Sequence, residues 1–289
     1  MTQDTSEPLK ISKPAPGLYV VATPIGNLRD ITFRAVDTLT AADVIACEDT
    51  RVTAKLLAAH NVATRTLSYH EHNAAKMRPM LLRRLQQGEI VALVSDAGTP
   101  LISDPGYKLV CAAVEANIPV TAIPGASAPL TAMAAAGLPS DRFLFAGFLP
   151  TRTAQRRTAL QPLAAIDATL IFFESPRRLA ASLADMRDVL GLRPAVIARE
   201  LTKRYEEFRR DTIGALAEYY QEAGAPKGEV VVVVAPPDAD EEPAIDLDEL
   251  LRQALAGMSV RDAAATVSTA TGRPRREVYA RALELDREE

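Results

Sequence analysis

The sequence predicts an α/β protein: one α/β domain around a mostly parallel sheet, a second around a mixed sheet, and a small C-terminal helical domain. Three observations predict it. Short apolar runs alternate with helix-period patterns through the first half, the signature of a parallel sheet covered by helices. A second series of strand-like runs begins near Arg142 and includes a charged segment, Glu200 to Arg210, that suits a hairpin. The acidic, proline-rich stretch Ala235 to Pro243 then reads as an exposed linker before a stretch of short helical patterns. With 289 residues, 48% of them hydrophobic, the chain has room for about two ordinary domains with cores of their own.

In chain order, residues 1–16 are polar and proline-dotted and are expected to be mobile. The first domain, 17–137, carries expected strands at Leu18–Ala22, Val44–Ala46, Ile90–Val94 and Val120–Ile123, with helices at Thr32–Ala42, Thr50–Ala59, Ala74–Gln87 and Gly106–Ala116. The second, 138–236, carries expected strands at Phe143–Phe148, Thr169–Phe173, Ala195–Ala198, Phe208–Ile213 and Glu229–Val234, the last two flanking one helix. A ligand cleft is expected between the two domains. After a linker at 237–244, the appendix 245–289 reads as three helices: Asp246 caps the first, Ser259 with Asp262 opens the second, and Gly272 before Pro274 breaks the chain ahead of the third. Arg261, Arg273, Arg275, Arg276 and Arg281 give this appendix a basic face, either simply solvated or in contact with phosphates.

Composition removes several function classes. A formal charge of −4 excludes a uniformly basic nucleic-acid protein but leaves room for a local basic face. Two distant cysteines, Cys47 and Cys111, and no signal-peptide pattern at Met1 to Pro16 predict a reduced, cytoplasmic protein. The most apolar span, Pro119 to Pro139, is broken by Pro124, Gly125, Ser127 and Pro129, so it reads as strand, loop and helix, and no membrane segment is expected. His60, His70 and His72 lack partners at ligand spacing; His70 and His72 would share one side of a strand without a third ligand, so no catalytic metal is expected. A GxSxG nucleophile elbow is absent.

The chemistry-bearing residues fall at the ends of expected strands. Ser95 to Gly106, the string SDAGTPLISDPG, leaves one apolar strand and opens onto a helix, with Asp96 and Asp104 bracketing small and turn-forming residues. It has neither the GxGxxG spacing of a dinucleotide fingerprint nor the lysine of a phosphate-binding P-loop. Thr23 to Leu28 holds one glycine, so it permits a tight turn near a ligand and disfavours pyrophosphate. Cys47 to Arg51 packs four polar groups after the second strand, which serve helix capping or face the cleft. Ile123 to Ala128 is a small-residue turn where Ser127 caps a helix, lines a ligand site, or both. Glu174 to Arg178 and Glu200 to Glu207 place mixed charges after strands, as solvated faces or cleft lining.

Taken in order, these six blocks resemble the 16S rRNA (cytidine-2'-O)-methyltransferase family of the tetrapyrrole methylase superfamily, over roughly residues 17–236, and the appendix is similar to that family's C-terminal extension. The resemblance implies S-adenosylmethionine as cofactor, held between the two α/β domains by Pro24, by Ala97, Gly98, Thr99 and Ile102, by Ser127 and Ala128, and by residues near Glu174 and Leu201. It implies 16S rRNA or the small ribosomal subunit as partner and a homodimer. The first loop departs from the glycine-rich turn of the porphyrin-modifying members, which argues against a tetrapyrrole substrate. For a base to relieve the ribose hydroxyl of its proton, the strand ends offer Asp30, Glu48, Asp49, Asp104 and Lys203; Asp30, Asp49 and Lys203 are carried forward as catalytic candidates. Arg29, Arg51, Arg177 and Arg178, with Arg275 and Arg276 in the appendix, suit RNA phosphates because guanidinium offers paired donors. The alternatives are a porphyrinoid-type small-molecule methyltransferase of the same fold and a non-catalytic RNA-binding or ribosome-assembly protein.

Overall fold

The computed structural model describes residues 14–238, 247–271 and 274–288. The expected mobile segment before residue 14, most of the linker, and Asp246, Gly272 and Arg273 lie outside the described residues. The chain divides into two compact units, one ending at Pro236 and the other starting at Pro237.

The first sheet of the large unit has five parallel strands, β1 (Gly17–Val21), β2 (Val44–Cys47), β3 (Thr66–Ser68), β4 (Ile90–Val94) and β5 (Val120–Ile123), in the order β3-β2-β4-β1-β5. Leu18 pairs with Val91 on one side and Val120 on the other. Helices α1 (Phe33–Ala41) and α2 (Thr50–Ala59) send Leu39 and Leu57 against Val21, Ile45 and Ala92. On the opposite face, α3 (Ala74–Gln86) and α4 (Tyr107–Glu115) send Leu81, Leu85 and Leu109 against Val44, Val91 and Leu93. Covered on both faces, β2 and β4 are buried along their whole length, which is why they read as unbroken apolar runs. The chain leaves β1 toward β2 on one face and leaves its neighbour β4 toward β5 on the other. A crevice therefore opens at the carboxyl ends of β1 and β4.

The second sheet, β6 (Phe143–Phe148), β7 (Thr169–Glu174), β8 (Pro194–Arg199), β9 (Glu207–Thr212) and β10 (Val230–Val234), has the order β6-β7-β10-β8-β9. Only the β6–β7 pairing is parallel, so the sheet is mixed. Strands β8 and β9 form the hairpin expected of the charged segment. One face is covered by α6 (Thr153–Leu160), α7 (Leu179–Leu190) and α8 (Ile213–Ala223), whose Leu160, Leu183 and Leu216 meet Phe172, Ile197 and Val232. The other face is covered by α5 (Ala128–Ala136), through Ala132, Met133 and Ala136 on Ile171, Val196 and Val233.

Three features go beyond or differ from the sequence expectation. Helix α5, inside the expected first domain 17–137, packs on the second sheet. Strand β3 and helices α6 and α7 have no counterpart in the sequence reading; β3 is a three-residue edge strand, half-exposed throughout, too short to show a pattern. His70 and His72 sit in the turn after β3 rather than on a strand, with their rings edge to face at 5.9 Å between centroids.

The small unit contains α9 (Leu247–Leu255), α10 (Val260–Thr271) and α11 (Arg275–Glu288) around Leu251, Val267, Val278 and Leu285. Ser259 caps α10, its hydroxyl accepting from the Asp262 amide at 3.2 Å and donating to the Asp262 carboxylate at 2.7 Å. Among the described residues no helix is long and apolar enough to cross a membrane.

Candidate active site

The crevice is walled first by two loops tied together at their bases. Beyond β1, the Thr23 amide donates to the Gly98 carbonyl at 2.9 Å and the Gly98 amide donates back at 3.0 Å, so the first loop and the SDAGTP loop form one short bridge. The Ser95 hydroxyl donates to the Ala97 carbonyl at 3.2 Å and shapes the turn. From the second sheet, the loop after β8 brings Leu201 to the same space, and α5 presents Ser127 and Ala128 at its start.

The SDAGTP loop and the loop after β8 also hold backbone strain. Leu101 (φ +74°), Ser103 (+66°), Glu200 (+51°) and Thr202 (+65°) are left-handed without being glycine. The other such residues among those described, Asn61 and Asn117, follow helix ends, where asparagine adopts that conformation readily. Each strained residue costs of order 1–3 kcal/mol and persists where the surroundings over-determine it, a pattern associated with ligand sites.

Between the loops lies a cavity of about 330 Å³. Ala97, Gly98, Thr99, Ile102, Ser127, Ala128, Glu174 and Leu201 all line it, eight of the nine positions expected to meet a cofactor. Pro24 does not; it is buried one residue before Ile25, which takes the place in the wall. The sequence reading missed Phe148, Phe173, Glu229 and Val231, which also line the cavity. Glu229 directly precedes β10 and Val231 lies near its amino end, which antiparallel pairing sets beside the carboxyl ends of β7 and β8, Val230 facing both Glu174 and Arg199. A rule that looks only at the carboxyl ends of strands passes over such residues.

Glu174 lines the cavity with its carboxylate already saturated. It accepts from the Ser175 amide, from the Ser182 hydroxyl and from the Arg178 guanidinium, the last at 2.8 Å through Nε. The Arg178 fork is thereby committed to a buried carboxylate and to the Leu149 carbonyl. Arg29 and Arg177 are exposed, as are Arg275 and Arg276 at the start of α11. Arg51 is 88% exposed while pairing with Asp49.

The proposed bases separate sharply. Asp104 is the one among the five that lines the cavity. Burial pushes its carboxyl up to about 6, the Ser95 hydroxyl opposes the shift, and the charges of Glu48 and Asp96 add to it. Asp30 is exposed in a single helical turn, Leu28–Asp30, outside the lining. Asp49 caps α2, and the Arg51 side chain and amide hold its carboxyl down to about 2, which leaves a weak base with its lone pairs engaged. Lys203 bonds both Glu200 and Glu229 at 2.8 Å; burial lowers its pKa, but the two carboxylates outweigh that and raise it overall, so the amine is a fixed cation and no proton acceptor. Asp49 and Lys203 thus lie outside the cavity lining, each already engaged by a partner of opposite charge.

A second hollow, about 430 Å³, opens at the carboxyl ends of β2, β3 and β4 and is walled by Glu48, Asp49, Ser68, His70, His72 and Asp96, with Thr50 and Arg51 at the start of α2. The Asp49 amide donates to Asp96 Oδ1 at 3.0 Å, linking the ends of β2 and β4. Among the described residues no cluster of three or more histidine, cysteine or acidic groups suits a metal ion.

Residues 17–217 match the family described as Tetrapyrrole (Corrin/Porphyrin) Methylases, and residues 241–286 match the RsmI C-terminal HTH domain. The chain is 55% identical over 271 residues to Ribosomal RNA small subunit methyltransferase I of Mesorhizobium japonicum, covering 93% of this chain and 92% of that one. The chain belongs to the ribosomal RNA small subunit methyltransferase I family. The Escherichia coli O157:H7 member is 46% identical over 271 residues, covering 92% of this chain and 94% of its own. Among solved structures, a cobalt precorrin-4 methyltransferase of cobalamin biosynthesis superposes with a TM-score of 0.57 at 20% identity, covering 75% of this chain and 94% of that one. A uroporphyrin-III C-methyltransferase from Thermus thermophilus, complexed with S-adenosyl homocysteine, superposes at 0.53 with 19% identity, covering 76% and 97%. These two share the fold of this ribosomal RNA small subunit methyltransferase I family member, whose two sheets and crevice are those of a tetrapyrrole methylase. As a member of that family the protein is a methyltransferase.

Proposed function

We propose that this protein transfers a methyl group from S-adenosylmethionine to the ribose 2'-hydroxyl of a cytidine in the decoding region of 16S rRNA. The observation that carries the reading is the cavity at the β1/β4 crevice, to which five of the six sequence blocks contribute, in a chain of this family. Its residues fit the cofactor. Ala97, Gly98, Ser127 and Ala128 leave backbone groups open to close approach, and Phe148, Phe173 and Val231 supply apolar wall for a flat ring. When bound, S-adenosylmethionine supplies a methyl already activated on a sulfonium. The protein's share of the work is to align the acceptor oxygen with that methyl and to exclude water, which the apolar wall favours. Asp104 takes the hydroxyl proton: it is ionised at neutral pH and, held near 6, remains a better base than an ordinary carboxylate. Arg29, Arg51 and Arg177 on the large unit, and Arg275 and Arg276 on the small one, hold RNA phosphates. The proposal includes a cytoplasmic location, as the cysteine usage suggests, and a homodimer, as the family resemblance implies. Sedimentation of the purified protein as a monomer at micromolar concentration removes the dimer from it.

The deciding experiment supplies methyl-labelled S-adenosylmethionine and small-subunit RNA from cells lacking the protein, followed by nuclease digestion and mass spectrometry. Label on the ribose of one cytidine is expected. Label that enters a porphyrinoid and no RNA replaces the reading with the small-molecule alternative, and a protein that binds no S-adenosylmethionine in calorimetry replaces it with the non-catalytic one.

A further inference from the structure

Apart from Arg51 in its wall, the second hollow has no task in the transfer just described, yet the SDAGTP loop lines both this hollow and the cavity that does. Asp96 lines the hollow, and the next residues along the chain, Ala97 to Thr99, line the cavity. The charges of Glu48 and Asp96 are close enough to Asp104 to act on its carboxyl. In a nucleotide the base is carried on the ribose carbon next to the one bearing the 2'-hydroxyl. An adjoining pocket is therefore where the base must go when that hydroxyl enters the cavity.

The lining has the chemistry of a base pocket rather than of a second cofactor site. The Asp96 carboxylate is occupied by the Asp49 amide, and the Asp49 carboxylate by Arg51. The half-exposed Glu48 carboxylate accepts no hydrogen bond from a described residue; burial and the Asp96 charge push its pKa up and His70 opposes the shift, while His70 Nδ1 is shielded from solvent with no hydrogen-bond partner. Unpaired polar groups in a recess call for a partner that fits them. A carboxylate accepts from an exocyclic amino group, as acidic side chains do from N4 of cytosine, and repels the carbonyl oxygen that uracil carries at the same place. The two imidazoles, edge to face at 5.9 Å, offer a flat ring the kind of surface on which unstacked bases rest.

We propose that this hollow seats the base of the target nucleotide, with Glu48 reading its amino group and His70 and His72 flanking the ring. The proposal rests on the reading of the protein as an RNA ribose methyltransferase and adds to it the residues that select cytidine.

The test compares full-length protein and its Glu48→Gln variant on two small-subunit RNAs that differ only in carrying cytidine or uridine at the methylated position. The unaltered protein is expected to prefer cytidine by about 10–100-fold in kcat/KM, the discrimination of one well-placed base contact. Glu48→Gln, whose amide serves either base, is expected to narrow that preference to about threefold or less while S-adenosylmethionine affinity by calorimetry stays within about twofold. Equal methylation of both RNAs by the unaltered protein overturns the base-reading role and leaves ribose methylation standing. A variant that keeps the full preference overturns it too, as does one that loses S-adenosylmethionine binding, which assigns the hollow to the donor. No methylation of either RNA by unaltered protein that binds S-adenosylmethionine overturns the function reading itself, and this inference with it. Should Glu48→Gln fail to fold, His70→Ala is expected to raise KM for the cytidine RNA about fivefold or more at unchanged cofactor affinity, and an unchanged KM overturns the proposal.

Discussion

Gly98 sits at φ +76° in the wall of the cavity, and a Cβ there would lie 3.3 Å from Ile25 Cγ2. Gly98→Val adds about 1–2 kcal/mol of left-handed backbone strain and pushes two methyls toward the ligand space. The variant is expected to fold, with an unaltered circular dichroism spectrum, and to lose measurable S-adenosylmethionine binding in calorimetry; unchanged affinity removes this loop from the site. Asp104 gives a second residue-level expectation. Its carboxyl, near 6, is protonated below that pH and ionised above, so the methylation rate rises with pH through about 6. Asp104→Asn is expected to abolish that limb of the profile and lower the rate by about 100-fold. The stability effect has the opposite sign. Because the folded state holds this proton more tightly than the unfolded chain, stability falls as pH rises from about 4 to about 6, and the Asn variant escapes that loss in denaturant midpoints at pH 5 and 7. The turns Ser95 to Gly106 and Ile123 to Ala128 were legible as site candidates, because turn chemistry and small size belong to the residues themselves, and the family resemblance singled out Ala97, Gly98, Ser127 and Ala128 within them. The fate of Arg178 was not legible, since nothing in its neighbourhood along the chain says that Glu174 is buried and waiting for it.

Helices α6 and α7 are joined by an ion pair with both side chains almost fully buried, Arg156 at 3% and Asp185 at 4% exposure. Asp185 also accepts from Arg157 at 2.7 Å. Asp185→Ala leaves the Arg156 charge buried without its partner and is expected to cost about 3–5 kcal/mol, read as a lower urea midpoint at unchanged slope. Replacing both residues with apolar ones of similar volume, Arg156→Met with Asp185→Leu, is expected to cost far less, because the uncompensated charge is gone. A single-variant cost within about 0.5 kcal/mol of zero would mean that water reaches the pair. Strands β2, β4 and β10 were plain in the sequence because burial on both faces forces an apolar run. Helix α6 was not: among its eight residues only Arg156 and Leu160 are buried, so most of its polar sequence faces water and resembles a loop. Helix α5 was read as a helix of the first domain, but its nearly all-apolar sequence gives no direction to its buried face, and the packing sets it on the second sheet.

For the whole molecule, a net charge of −4 means that RNA must be met by local basic groups. The exposed pair Arg275 and Arg276 at the start of α11 is one such group. Replacing both with Ala is expected to weaken RNA binding and reduce the slope of log affinity against log salt by about 1.4–1.8, the share of two phosphate contacts, with cofactor affinity untouched. An unchanged slope would return these arginines to a purely solvated role. By itself the sequence determined the strand-helix alternation of the first sheet, the hairpin of the second, the separate helical unit and the six blocks that carry the family. Each of these is local: periodicity, turn chemistry and motif spacing lie within a few residues of one another. Only the tertiary structure decided that the amino end of β10 completes the cavity, that Asp104 and not Asp49 or Lys203 faces it, and that a second recess adjoins it. Those outcomes depend on antiparallel pairing and charge partners brought together from distant parts of the chain, and side chains compete for such partners only once the backbone has folded.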